Sequence, residues 1–229
     1  TTADLFIAKI NPLGQLIWVK QIPGWPYPQR YKVTATTDPG GHIYLTGTFT
    51  GTADFDPGPS VNQLHSTGWD IYVLKLTTAG DFAWVKQISD TGDGDGNTIK
   101  LDIQGNIVVG GYFDGIADFD PGAGTFIMNT SNGSSSAFIL KLSNNGDFVF
   151  AKQFGDGGFR ITVNSLCINQ NNDIIISGKY NLTTDFDPGP NSQLLTEVGG
   201  SDIYILSLSE SGTFQWVKSV GGTNIDNIN

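Results

Sequence analysis

One stretch of sequence returns at 4–20, 70–86, 136–152 and 202–218, reading DLFIAKINPLGQLIWVK, DIYVLKLTTAGDFAWVK, SAFILKLSNNGDFVFAK and DIYILSLSESGTFQWVK. Gly14, Gly80, Gly146 and Gly212 stand 66 residues apart, and so do Trp18, Trp84, Phe150 and Trp216. Between these stretches a second element recurs: ADFDPGPS from Ala53, ADFDPGAG from Ala117 and TDFDPGPN from Thr184. A fixed period constrains the fold more than any other feature, because each unit has to bury an apolar face against a copy of itself.

Alternation with period two marks the strands of each unit. In DIYVLKL, Ile71, Val73 and Lys75 share one face, and Tyr72, Leu74 and Leu76 share the other. The turn TTAGD leads to FAWVKQI, giving one hairpin. A second hairpin reads KVTATTD-PGG-HIYLTGTF, with NTIKLD-IQGN-IVVGGYF and RITVNSLCI-NQNN-DIIISGKY as its counterparts. Gly and Asn at the tips supply the positive φ that such turns need. No stretch longer than a turn has a helical period. An all-β chain of four-stranded antiparallel units follows, and up-and-down sheets in tandem are the blades of a β-propeller. The unit exceeds the usual blade by roughly 20 residues, and the excess lies in the segment carrying DFDPG.

In propeller order, strand A is KVTATTD, B is HIYLTGTF, C is DIYVLKL and D is FAWVKQI. Residues 3–22 supply only C and D, blades follow at about 31–88, 97–154 and 160–220, and 221–229 opens another A strand. Three and a half blades leave open edges. The expected partners of those edges are the remaining blades of the same chain or, if the chain is a half-ring, a second copy. Trp18, Trp84 and Trp216 on D strands are expected to fill the space between blades. Lys9, Lys75 and Lys141 on C strands are read as solvated, with Ser207 breaking the pattern.

The unit D-hydrophobic-K, then G-x-hydrophobic-W-V-K, then D-x-x-G-N-I with a hydrophobic pair and x-G, resembles the bacterial β-propeller repeat family called SBBP. DGDGN…LDIQGNIVVGGYF is the clearest match, and the DFDPG insert looks like a variant of secreted and cell-surface proteins. The resemblance implies a propeller in an extracellular or cell-surface setting. It implies no single activity.

Net charge is −10, from 22 acids against 12 bases. Such a balance argues against a nucleic-acid partner. No run of 18 apolar residues is present, so insertion into a membrane as a helix is not expected. Cys167 is alone, which excludes an internal disulfide, and its apolar neighbours predict a buried thiol.

All but two of the acids are Asp, a residue of turns, caps and metal loops. Connections alternate between the two ends of an up-and-down sheet, so the DFDPG segments and the D–A loops with Asp90, Asp93, Asp95 and Asp156 should share one rim. Within DFD, Phe55, Phe119 and Phe186 point inward. Asp54 with Asp56, Asp118 with Asp120, and Asp185 with Asp187 would share the other side. Two readings stay open: a hard cation such as Ca²⁺ neutralising each pair, or Asx-turns with no metal. Asp93, Asp95 and Asn97 resemble the opening of a D-x-D-x-N calcium loop, without the later Glu of an EF-hand. Asn129, Asn132 and Asn181 fit N-x-S/T but are not read as glycosylation sites.

His42 and His65 are the only histidines, no G-x-S-x-G occurs, and no phosphate or dinucleotide fingerprint is present. The expectation is a non-catalytic binding, adhesion or spacer module of a larger protein, meeting an unknown protein or glycan at the Asp-rich face. The alternatives are a calcium-dependent carbohydrate-binding domain and a hydrolase whose catalytic residues lie outside this chain.

Overall fold

A computed structural model describes residues 3–25, 32–131, 134–155 and 160–226. Asn132 and Asp156, the side chain of Asp90, and 227–229 lie outside what it describes. Among the described residues every regular element is a strand, and no helix is long and apolar enough to cross a membrane.

The first unit is a hairpin, β1 (Ala3–Ile10) against β2 (Leu16–Trp25). The second runs β3 (Thr34–Thr37), β4 (Ile43–Asp54), β5 (Gln63–Leu76) and β6 (Phe82–Asp90), each antiparallel to the next. The third has β7 (Gly94–Leu101) and β8 (Ile107–Asp114), a short hairpin β9 (Ile116–Asp118) and β10 (Ile127–Asn129), then β11 (Ser135–Leu142) and β12 (Phe148–Phe154). The fourth repeats this plan with β13 (Thr162–Ile168), β14 (Ile174–Tyr180), the hairpin β15 (Thr183–Asp185) and β16 (Leu194–Thr196), then β17 (Asp202–Leu208) and β18 (Phe214–Val220). The A-B-C-D order read from the sequence is therefore the hydrogen-bonded order of the three complete units.

Sheets pack face to face, and the two faces of one C strand enter two different cores. Tyr72, Leu74 and Leu76 lie with Ile22, Phe49 and Phe55, against Leu5 and Ile7 of the first hairpin. Ile71 and Val73 lie with Ile99, Val109, Phe138 and Leu140 of the next unit. A third core joins Val108, Ala137 and Ile139 to Val163, Tyr180, Phe186 and Tyr204. Inner strand β7 packs against both β3 and β13, so successive A strands are neighbours.

The glycine ending TG, GG and SG on the B strands has a steric cause. A Cβ on Gly111 would meet the Asp95 carbonyl oxygen at 1.8 Å and the Phe138 ring at 2.9 Å; on Gly178 it would meet the Thr162 oxygen at 1.7 Å and the Tyr204 ring at 3.0 Å. Only glycine lets the C-strand aromatic slide under the A-strand backbone. At the C–D turns, Gly80 and Gly146 adopt φ of +79° and +81°. Their Cα atoms lie against Trp18 and Trp84 of the preceding D strand. Trp18 and Trp84 thus fill the seam between sheets as expected, whereas Trp216 is 41% exposed.

The inserts are more ordered than a connecting loop. Asp54 pairs with Gln63, Asp118 with Ile127 and Asp185 with Leu194, so each DFDPG tip closes a β-hairpin. The β9 strand also pairs with β6 of the preceding unit, through Ser89 with Asp118 and Asp90 with Ala117. Likewise the Gly155 amide donates to the Asp185 carbonyl at 2.8 Å. The insert clasps one sheet to the one before it.

Candidate functional site

In each tip the middle phenylalanine is buried against the same pair of rings. Phe55 sits between Phe49 at 5.3 Å and Tyr72 at 4.9 Å. Phe119 sits between Phe113 at 5.1 Å and Phe138 at 5.0 Å, and Phe186 between Tyr180 at 5.2 Å and Tyr204 at 4.8 Å. Near-perpendicular and tilted rings at these distances suit aromatic quadrupoles. With the ring inward, the flanking carboxylates turn back on their own backbone. Asp54 Oδ1 accepts from the amides of Asp56 and Asn62 at 3.1 and 2.9 Å. Asp118 Oδ1 accepts from Asp120 and Phe126 at 3.1 and 2.8 Å, and Asp185 Oδ1 from Asp187 and Gln193 at 3.1 and 2.8 Å. Asp56, Asp120 and Asp187 each take the amide two residues on, that of Gly58, Gly122 or Gly189.

This is the Asx-turn arrangement, repeated three times. Burial pushes the Asp185 carboxyl up, but the Ser192 hydroxyl and the amides of Gln193, Asp187 and Phe186 outweigh it and hold the group below its ordinary 3.8. Among the described residues no three His, Cys, Asp or Glu side chains converge as a metal-binding group would.

The D-x-D-x-N segment is strand rather than loop. Asp95 pairs with Tyr112 in the β7–β8 ladder, and its charge acts on the fully buried Tyr72 hydroxyl, which burial foremost and then Asp95 push upward. The Asp93 amide donates to Asp114 Oδ1 at 2.6 Å. Asn97 is the extra residue of a β-bulge between Gly96 and Thr98, and Asn164 occupies the matching bulge of β13, between Val163 and Ser165. A bulge re-aims its side chain. Both asparagines line a cleft of about 400 Å³ with Lys32, Arg160, Lys179 and Asn181. The strands fix these positions: Asn97 and Asn164 on neighbouring A strands, Lys179 at the end of a B strand, and Arg160 tied through its amide to Asn181 Oδ1 at 2.9 Å. The sequence reading overlooked this cleft, because nothing short of the packing of β7 on β13 brings these residues together.

Two expectations need correction. The C-strand lysines are not free solvated groups. Lys9 donates to the Thr78 carbonyl at 3.2 Å, Lys75 to that of Asn144 at 3.2 Å and Lys141 to that of Glu210 at 3.3 Å. Each reaches the C–D turn of the next unit, 69 residues on in every case. Lys141 is only 4% exposed and pairs with Asp102 at 2.9 Å. Asp102 is pushed up by burial, but Lys141 and Asn106 overcome that and hold it below its usual value. The signal was present in the sequence: Asp38 and Asp102 hold the A–B turns of the units with lysine, while Asn169 and Ser207 appear together in the unit without it. Cys167, in turn, is exposed rather than buried. It alternates with the buried Leu166 and so faces away from the core that an apolar neighbourhood suggested.

The histidines hold local contacts. His42 Nδ1 lies 2.9 Å from Asp38 Oδ2, and His65 Nδ1 lies 3.0 Å from the Thr52 hydroxyl. The Tyr44 hydroxyl also meets Asp38, and burial together with that carboxylate pushes it up to about 12.

No family model matches the chain. The chain is 26% identical over 204 residues to an uncharacterized WD repeat-containing protein of Acanthamoeba polyphaga mimivirus, across 79% of this chain and 15% of that protein. It therefore spans under a sixth of that relative's length. A solved protein of unknown function from Bacteroides caccae aligns over 94% of this chain and 90% of its own, at 10% identity and a TM-score of 0.33. A likeness that slight carries no argument.

Proposed function

We propose that the chain is a β-propeller segment acting as a protein-binding module, its four-stranded sheets being the blades and the first hairpin the C–D half of another. The observation that carries this reading is the likeness, over most of the chain, to a WD repeat-containing protein. Sheets packed face to face with successive inner strands as neighbours support a propeller. A rigid stack offers the turns at its two ends as a preformed surface, which lowers the ordering cost of association. The secreted or cell-surface setting implied by the SBBP resemblance belongs to the same proposal.

The test is a display selection of peptides and small folded domains on the immobilised chain. Saturable binders that compete with soluble chain, and that are lost when the chain is thermally unfolded, are expected. Enrichment of none would overturn the reading.

A further inference from the structure

We propose that the cleft between the inner strands takes the carboxylate of an acidic peptide segment. The proposal rests on the protein-binding reading and names the chemistry of the partner.

Charge distribution is the first ground. The chain has only 12 basic residues against 22 acidic ones, yet Lys32, Arg160 and Lys179 line one cleft, and among the described residues no Asp or Glu lines it. Concave walls focus the field of such a cluster, so the site is a positive well in a negative molecule. Neither Lys32 nor Arg160 has an ion pair or a side-chain hydrogen bond among the described residues, while Lys141 and Lys20 are paired with Asp102 and Asp81. A planar guanidinium so placed is suited to a bidentate grip on a carboxylate.

Polar preparation is the second ground. Asn97 is 7% exposed, lines the cleft, and its carboxamide makes no hydrogen bond among the described residues. The amide is not sealed from solvent, so it stays available to a group entering the cleft. Asn164 reaches the same space from the equivalent bulge of the next unit and accepts from the Thr162 hydroxyl at 2.7 Å through Oδ1. Amide donors beside two cations suit an oxygen anion. At about 400 Å³ the cleft admits a side chain or two of a peptide. A polyanion such as nucleic acid would meet the net −10 of the rest of the surface, whereas one or two carboxylates on a short segment would not.

Titration calorimetry of the whole chain with an acetylated glutamate-rich octapeptide, its glutamine counterpart and its lysine counterpart tests this. The acidic peptide is expected to bind, to weaken as salt is raised, and to lose about tenfold or more in affinity with Arg160→Gln and, separately, with Lys32→Gln. Lys20→Gln, at the exposed pair with Asp81, should bind as the parent does. Unchanged melting of the variants excludes misfolding, and having two variants keeps the test valid should one fail to fold. No binding of the acidic peptide, or binding that both cleft variants leave intact, overturns the proposal. Equal binding of the glutamine peptide overturns it as well, yet leaves the protein-binding reading standing.

Discussion

The first hairpin and its three counterparts carry the same pattern of residues and meet different fates. Phe6 is 71% exposed, while Tyr72, Phe138 and Tyr204 at the same place in the repeat are 0% exposed. Ile10 is 63% exposed against 0% for Leu76, Leu142 and Leu208, and Val19 54% against 4% for Ala151 and 8% for Val217. Opposite them, Leu5 and Ile7 of the same strand pack into the core shared with the next unit. An apolar alternation thus licenses burial without delivering it. Delivery depends on a neighbouring sheet and on A and B strands to close the aromatic cluster, and the described structure sets neither against that face of β1.

The sharpest way to break this comparison is to truncate equivalent rings. Phe138→Ala is expected to cost about 4 kcal/mol, because it empties a packed site, and Phe6→Ala under about 0.5 kcal/mol, as at other exposed positions. Urea unfolding of both variants measures the difference. Equal costs would mean that the face of β1 is covered in solution.

Next in size are the C-strand lysines. Lys141→Met leaves Asp102 buried without its partner and is expected to cost about 3 kcal/mol, whereas Lys9→Met at the exposed end of the series should cost under about 1 kcal/mol. The same pair sets a pH dependence. Asp102 titrates lower folded than unfolded. Its contribution is therefore fully present above the unfolded value near 3.8 and is lost as pH falls from there through the depressed folded value. Asp102→Asn should flatten the acid limb of a melting-temperature profile below about pH 4. A limb that keeps its slope would assign acid lability to other carboxylates.

The smallest effect is expected at the DFDPG tips. Their carboxylates already accept backbone amides of their own turns, so chelator should leave the melting temperature unmoved. Asp118→Asn, which caps a turn equally well, should cost under about 0.5 kcal/mol. A fall of several degrees with chelator, restored by Ca²⁺, would put a cation at these tips, by the mass action that stabilises any ligand-binding fold.

Strand order, the inward turn of Phe55, Phe119 and Phe186, and the seam position of Trp18 and Trp84 were all legible in the sequence. Each follows from a local rule, period-two alternation or turn chemistry, multiplied by a repeat that makes one reading serve every unit. The inserts were legible as Asp turns but not as hairpins that clasp the preceding sheet, since β9 finds β6 only after two units have docked. Asp93, Asp95 and Asn97 show the limit in three residues. Their spacing suggested ligands in a loop, but the chain there joins a ladder, and the pleat and a bulge send Asp95 toward Tyr72 and Asn97 toward the cleft.

The sequence by itself determined an all-β chain of repeating four-stranded units, because alternation, glycine turns and period are properties of neighbours along the chain. Only the tertiary structure decided which copy of an identical face is buried, which lysine is paired, and that three of the few cations meet in one cleft. Those outcomes depend on contacts between residues some 40 to 150 positions apart, made only when strands and sheets settle on one another, and no local pattern carries that distance.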